Sequence, residues 1–202
     1  MNPAVFLDRD GVITQEPPHY AHLIDELEFI QKSPEAIRLL NQNNFIVIIV
    51  SNQSGIARGY YPEEDTVTFN QAMEKKLSEF GAHIDAVYYC PHHPEAVVEK
   101  YRIDCDCRKP KNGMLKLAEK NMNLDLKLSF VVGDRWSDIE SGKISECKTI
   151  LVRTGSGEKS LKSNKIPCNY IANDLYEAVE YILSLEQKRI KKQDFYDKFP
   201  FI

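Results

Sequence analysis

Five short apolar runs constrain this 202-residue chain more than anything else in it: "AVFL" at 4–7, "FIVIIV" at 45–50, "IDAVYY" at 84–89, "SFVV" at 129–132 and "TILV" at 149–152. They are rich in β-branched and aromatic residues, and they are continuous rather than alternating. That pattern predicts strands buried on both faces. Helix-like stretches stand between and after them: "SPEAIRLLNQNN", "PEEDTVTFNQAMEKKLSEFG", "KNGMLKLAEKN" and "DLYEAVEYILSLEQKRI". Ser33 is placed to cap the first, with Pro34 in its first turn, and Gly81 to end the second. Strands alternating with helices predict right-handed βαβ units. The expected fold is therefore α/β: a Rossmann-like parallel sheet with helices on both faces. With 43% apolar residues the chain can bury one sizeable core. We expect one domain over 1–185 and a C-terminal tail over 186–202, where "KKQDFYDKFPFI" mixes charge with aromatics.

The net charge of -4 leaves no basic footprint, which argues against a nucleic-acid partner. No apolar run approaches the roughly 18 residues that span a bilayer, and the N-terminus lacks a basic segment followed by an apolar one. The expectation is a soluble, cytoplasmic monomer with no membrane contact. Five cysteines, three of them between 90 and 107, fit reduced thiols plus a metal site better than a disulfide framework.

In a parallel sheet, ligands bind beyond the carboxyl ends of the strands. That rule gathers Asp8 and Asp10, then Ser51, Asn52 and Gln53, then Asp134 and Asp138, with Arg108 and Lys109 added ahead of the "KNGML" helix. Carboxylates so grouped repel one another unless a cation lies among them, and hard oxygen donors select Mg²⁺. Asp8 can then attack phosphorus as a nucleophile, and Asp10, on the same side of the strand, can give and take a proton. Ser51 and Lys109 can hold phosphoryl oxygens. Asp134 also reads as a cap for the helix near "SDIES", a role that Asp138, one turn later, is not expected to share.

"FLDRDGVI", "IIVSNQSGIARG", "RKP" and "VVGDRWSDIESG" resemble, in order, the four signature motifs of the haloacid-dehalogenase-like phosphatases. The resemblance spans about residues 4–155. It implies that Asp8 is the nucleophile, Asp10 the acid/base, Ser51 and Lys109 the phosphoryl binders, and Asp134 a Mg²⁺ ligand. It also implies that Asp10 offers its backbone carbonyl to the metal.

"CPHHPEAVVEKYRIDCDCRKP" holds Cys90, His92, Cys105 and Cys107, a C-x-H pair and a C-x-C pair twelve residues apart. Three thiolates and an imidazole suit a closed, structural Zn²⁺ site, and the polar loop between them lacks a core of its own. His93 is the rival for His92. Cys147 and Cys168 read as small core residues.

This loop, with "SNQSGIARGYY" and "CRKP", resembles the heptose bisphosphate 7-phosphatases within that family; the sister group is the histidinol-phosphate phosphatases. The resemblance implies a sugar-phosphate substrate touched by Asn52, Gln53 and Arg108, the last through a planar fork suited to a second phosphate. Arg135 stands where lysine is expected after the fourth-motif aspartate. Neither 14–44 nor 54–107 has room for a cap domain, so the site should be open, with His19 or Tyr20 touching sugar. Other readings of the same residues are a phosphatase for another small phosphomonoester and a zinc-stabilised binding module without catalysis.

Overall fold

The computed structural model describes residues 2–17, 19–163 and 167–198, with side chains through Lys192. The first run forms β1 (Ala4–Leu7) and the second β2 (Ile46–Asn52). The third forms β3 (Ala86–Cys90), the fourth β4 (Phe130–Gly133) and the fifth β5 (Lys148–Val152). A sixth strand, β6 (Tyr170–Ala172), was not expected; three residues are too few to register as a run. All pairings are parallel, in the order β3-β2-β1-β4-β5-β6.

β1 is central and its side chains alternate between two cores. Val5 and Leu7 join one, facing Ile37 and Leu40 of α1 (Ser33–Gln42), Phe69 and Met73 of α3 (Glu63–Glu79), and Val179 and Ile182 of α7 (Leu175–Lys198). Ala4 and Phe6 join the other, facing Met114, Leu115 and Ala118 of α4 (Gly113–Met122). Helices thus cover both faces, as continuous apolar strands require. α5 (Trp136–Ile144) comes close enough to β4 and β5 that a Cβ on Gly142 would press into Val131 and Thr149. A single turn, α2 (Ser54–Ala57), follows β2, and α6 (Gly157–Ser163) follows β5.

Three expectations change. The edge strand β3 is half-buried except at Cys90, because only one neighbouring strand flanks it. Ser33 is not the cap of α1. Lys32 takes that position with φ 62°, while the buried Ser33 hydroxyl donates to Ile13 O at 2.7 Å and ties the helix to the loop after β1. The third change is the reach of α7, which continues past its expected end at Ile190 to Lys198; residues 199–202 of the expected tail lie outside the described residues.

Among the described residues no domain-sized insertion covers the carboxyl edge of the sheet, and no helix is long and apolar enough to cross a membrane.

Phe6 is fully buried on the central strand. Phe6→Ala is expected to cost about 3–5 kcal/mol through lost burial and the cavity left behind, read as a lower urea midpoint at unchanged slope.

Candidate active site

The strand order reverses between β1 and β4, which opens a crevice at their carboxyl ends. Asp8 leaves β1 there, its N–H donating to Val132 O at 3.0 Å, and Asp134 leaves β4 beside it. Gly11, at φ 84°, lets the chain turn against Asp134; a Cβ there would collide with that carboxylate.

Lys109 closes the group. Its buried ammonium lies 3.1 Å from Asp8 Oδ1 and 2.6 Å from Asp138 Oδ1, and donates to Val50 O at 2.7 Å. Burial pulls its pKa down, but the two carboxylates outweigh burial and push it up to about 12. Asp134 completes a group of three carboxylates with Asp8 and Asp138, one oxygen of each lying within 4.8 Å of the others. Burial raises Asp8 to about 6, with Asp138 and Asp10 adding to it and Lys109 opposing. Asp134 is raised to about 8, first by burial and then by Asp8 and Asp138. Its Oδ2 accepts from Ser156 N–H at 2.6 Å, while its buried Oδ1 has no hydrogen-bond partner. That oxygen lies 3.9 Å from Arg135 Nε, and a carboxylate oxygen without a hydrogen bond among three acids suits a hard divalent cation.

Asp10 keeps its backbone carbonyl as a donor for metal. Its carboxylate is turned out of the acid group and gripped by the Arg9 fork, Nε to Oδ1 and Nη2 to Oδ2, each at 2.9 Å. Asp138 differs from expectation. As the third residue of α5 it accepts the Arg135 N–H through Oδ2 at 3.0 Å, capping the helix from inside its first turn while Oδ1 serves Lys109.

An open cleft of about 420 Å³ lies over these groups, bordered by Asp8, Asp10, Ser51, Asn52, Lys109, Arg108, Arg135 and Tyr20. Asn52 faces the cleft while clasping Lys109 at both backbone groups, donating to its carbonyl and accepting from its N–H at 3.0 Å each. Arg108 donates to His92 O at 3.1 Å. Arg135 is paired with both oxygens of Glu16, at 2.5 and 2.7 Å.

Two expected contacts are absent from the cleft. Gln53 is buried beneath it, its amide donating to Asp10 Oδ2 and Ser51 Oγ and its carbonyl accepting from Tyr61 and Arg9. His19 points to solvent and pairs with Glu26 at 2.7 Å. Arg9 and Glu16 were not singled out by the sequence reading. For Arg9 the available signal was a cation wedged between two aspartates at the end of a strand buried on both faces.

The loop after β3 brings its four donors together. Cys90, Cys105 and Cys107 sulfurs are 3.1–3.4 Å apart, and His92 Nδ1 is 3.4 Å from Cys107 Sγ and 3.8 Å from Cys90 Sγ. A tetrahedral zinc with bonds of about 2.3 Å needs edges of about 3.8 Å, so the set fits after slight expansion. His93 faces elsewhere and accepts from Glu95 N–H. Burial raises the Cys90 thiol, so metal binding would release its proton. Tyr101 and Ala96 of the loop pack on Ile56, Ala57 and Tyr61.

Three comparisons bear on this geometry. Residues 106–178 match the HAD-hydrolase-like family model. The D-glycero-β-D-manno-heptose-1,7-bisphosphate 7-phosphatase of Pasteurella multocida (strain Pm70) is 41% identical over 92% of this chain and 100% of its own length. The Escherichia coli K12 enzyme of the same name is 43% identical over 76% of this chain and 80% of its own. The chain belongs to this HAD-like phosphatase family. Its fold also matches the crystal structure of the D,D-heptose 1,7-bisphosphate phosphatase from B. bronchiseptica complexed with magnesium and phosphate. That match has a TM-score of 0.83 at 31% identity and covers 90% of this chain and 98% of the other.

Family membership and the acid group together make magnesium the cation to test. Asp8 and Asp134 hold their protons above the ordinary value of 3.8 in the fold. The stability linked to those protons is complete below about pH 4 and is lost as pH rises through their folded values. Magnesium must displace the same protons, so the rise in Tm it produces should grow between about pH 5.5 and 8.5. Thermal unfolding at fixed ionic strength checks this; a shift that is flat or shrinks over that range contradicts it.

Proposed function

We propose that this protein removes the 7-phosphate of D-glycero-D-manno-heptose 1,7-bisphosphate through an aspartyl-phosphate. The observation that carries the reading is the pairing of two aspartates in different states at one strand end. Asp8 is buried against Lys109 and aimed into the acid group, while Asp10 borders the same cleft but is held apart from it.

Asp8 attacks phosphorus and the bond from phosphorus to the sugar oxygen breaks. Asp10 gives its proton to that leaving oxygen. In the second half, Asp10 takes a proton from water as the water attacks phosphorus, which frees inorganic phosphate and restores Asp8. The Ser51 hydroxyl and the Lys109 ammonium hold phosphoryl oxygens as charge shifts. Bound by Asp8, Asp134 and the Asp10 carbonyl, a magnesium ion would offset the charge of the phosphoryl group. Asp138 contributes by fixing Lys109. At the rim, Arg108 offers a fork to the second phosphate, and Tyr20 a ring to the sugar.

Zinc at Cys90, His92, Cys105 and Cys107 is structural in this reading, because four protein donors leave no open position. The loop it orders leads directly into Arg108 and Lys109, so its loss reaches the cleft.

Phosphate release over a panel of sugar phosphates and histidinol phosphate, with and without magnesium, tests the reading. The heptose bisphosphate is expected to show the highest kcat/KM, and only with magnesium. Preference for histidinol phosphate would reject the substrate. Asp8→Asn should fold and bind but lose turnover by at least about 10³-fold, since it removes the nucleophilic charge and little volume. Retained turnover would reject Asp8 as nucleophile.

Stripping zinc should impair turnover even with magnesium in excess. Full activity in a protein verified free of zinc by elemental analysis would break the link between loop and cleft.

A further inference from the structure

One buried cation has no part in the chemistry described above. Arg9 is 1% exposed, between the two aspartates of the cleft. Every nitrogen of its guanidinium has an acceptor. Nε and Nη2 grip both oxygens of Asp10, Nη2 also reaches Ala21 O at 2.9 Å and Gln53 Oε1 at 3.2 Å, and Nη1 donates to Asn70 Oδ1 at 3.0 Å. Its flat face lies 4.4 Å over the Phe69 ring of α3. The guanidinium plane is thus fixed by α3, by the loop after β1 and by Gln53. Through the parallel fork it fixes the plane of the Asp10 carboxylate.

We propose that Arg9 is a positioning residue for proton transfer by Asp10, holding that carboxylate at the cleft edge and away from the acid group. This rests on the functional reading above. A second tether agrees with it. Gln53 donates to Asp10 Oδ2 at 3.1 Å and accepts from Tyr61, so the carboxylate is oriented from two sides. Oδ1 is the less committed oxygen: Thr14 has one hydroxyl proton for two acceptors, Asp10 Oδ1 and Arg9 O, each at 3.3 Å. When that proton turns to Arg9 O, Asp10 keeps a free lone pair for its own proton.

A residue that only fills space and one that aims an acid differ in a measurable way. An alkyl sugar phosphate needs its leaving oxygen protonated, whereas p-nitrophenyl phosphate expels a stable anion and does not. For both esters kcat/KM reports steps through phosphoryl transfer to Asp8, before the aspartyl-phosphate is hydrolysed.

Arg9→Lys keeps the charge and removes the fork. In Arg9→Lys, kcat/KM for the heptose bisphosphate is expected to fall on the order of 100-fold, and that for p-nitrophenyl phosphate by less than about 5-fold. Should thermal unfolding show that Arg9→Lys does not fold, Asn70→Ala carries the test. It removes the Nη1 acceptor at the far end of the guanidinium and touches no group bordering the cleft. The same selectivity between esters is then expected on the order of 10-fold. Equal losses on both esters, or none on either, would overturn the proposal. Wild-type protein that releases phosphate from neither ester would instead overturn the functional reading, and this inference with it.

Discussion

Lys109 carries its ammonium to the point where four segments meet, and the carboxyl edge of the sheet is organised around it. It reaches Val50 at the end of β2, Asp8 after β1 and Asp138 in the first turn of α5, while its own backbone is clasped by Asn52. A buried ammonium without partners would shed its proton or pull in water. Here two carboxylates and a carbonyl satisfy its three donors, so the strands on both sides of the topological reversal are linked by charge as well as by the ladder. Three acids meet one buried lysine, with the half-exposed Arg135 3.9 Å from Asp134 Oδ1 as the other cation, and that oxygen, which has no hydrogen bond, marks where positive charge is short.

The two aspartates of "FLDRDG" show how neighbours two residues apart come to differ. Asp8 turns inward to a lysine and two other acids. Asp10 turns toward a guanidinium and an amide. The difference does not lie in the residue type; it lies in which cation each meets, the distant Lys109 for Asp8 and the adjacent Arg9, itself held by distant side chains, for Asp10.

The apolar runs located five strands to within a residue or two, because a strand buried on both faces must be continuous in apolar side chains. β6 escaped because three residues at a sheet edge carry no such demand. The acid group was legible for a related reason. Polar residues that follow buried strands share one rim, whatever their separation in sequence. What could not be read was commitment among side chains. Gln53 stands in a loop that borders the cleft, yet both ends of its amide are used beneath it. His19 lies in the right segment but pairs with Glu26. Asp138 looked one turn too late to cap a helix, and a side chain can in fact reach back to the N–H that opens that helix. Position along a strand fixes direction; partners depend on tertiary contacts that periodicity does not encode.

The cleft has no lid among the described residues, and its walls are stapled from behind by Asn52, Gln53 and the cysteine-bearing loop. Such a rim cannot tell substrates apart by shutting on the right one. Discrimination must come from fixed charges met on arrival, so selectivity should reside in encounter and residence more than in a change of shape. Asp8 is buried at the floor of this open cleft, so a phosphoryl group carried on it would face the solvent side, where water is the acceptor that rival alcohols have to outcompete.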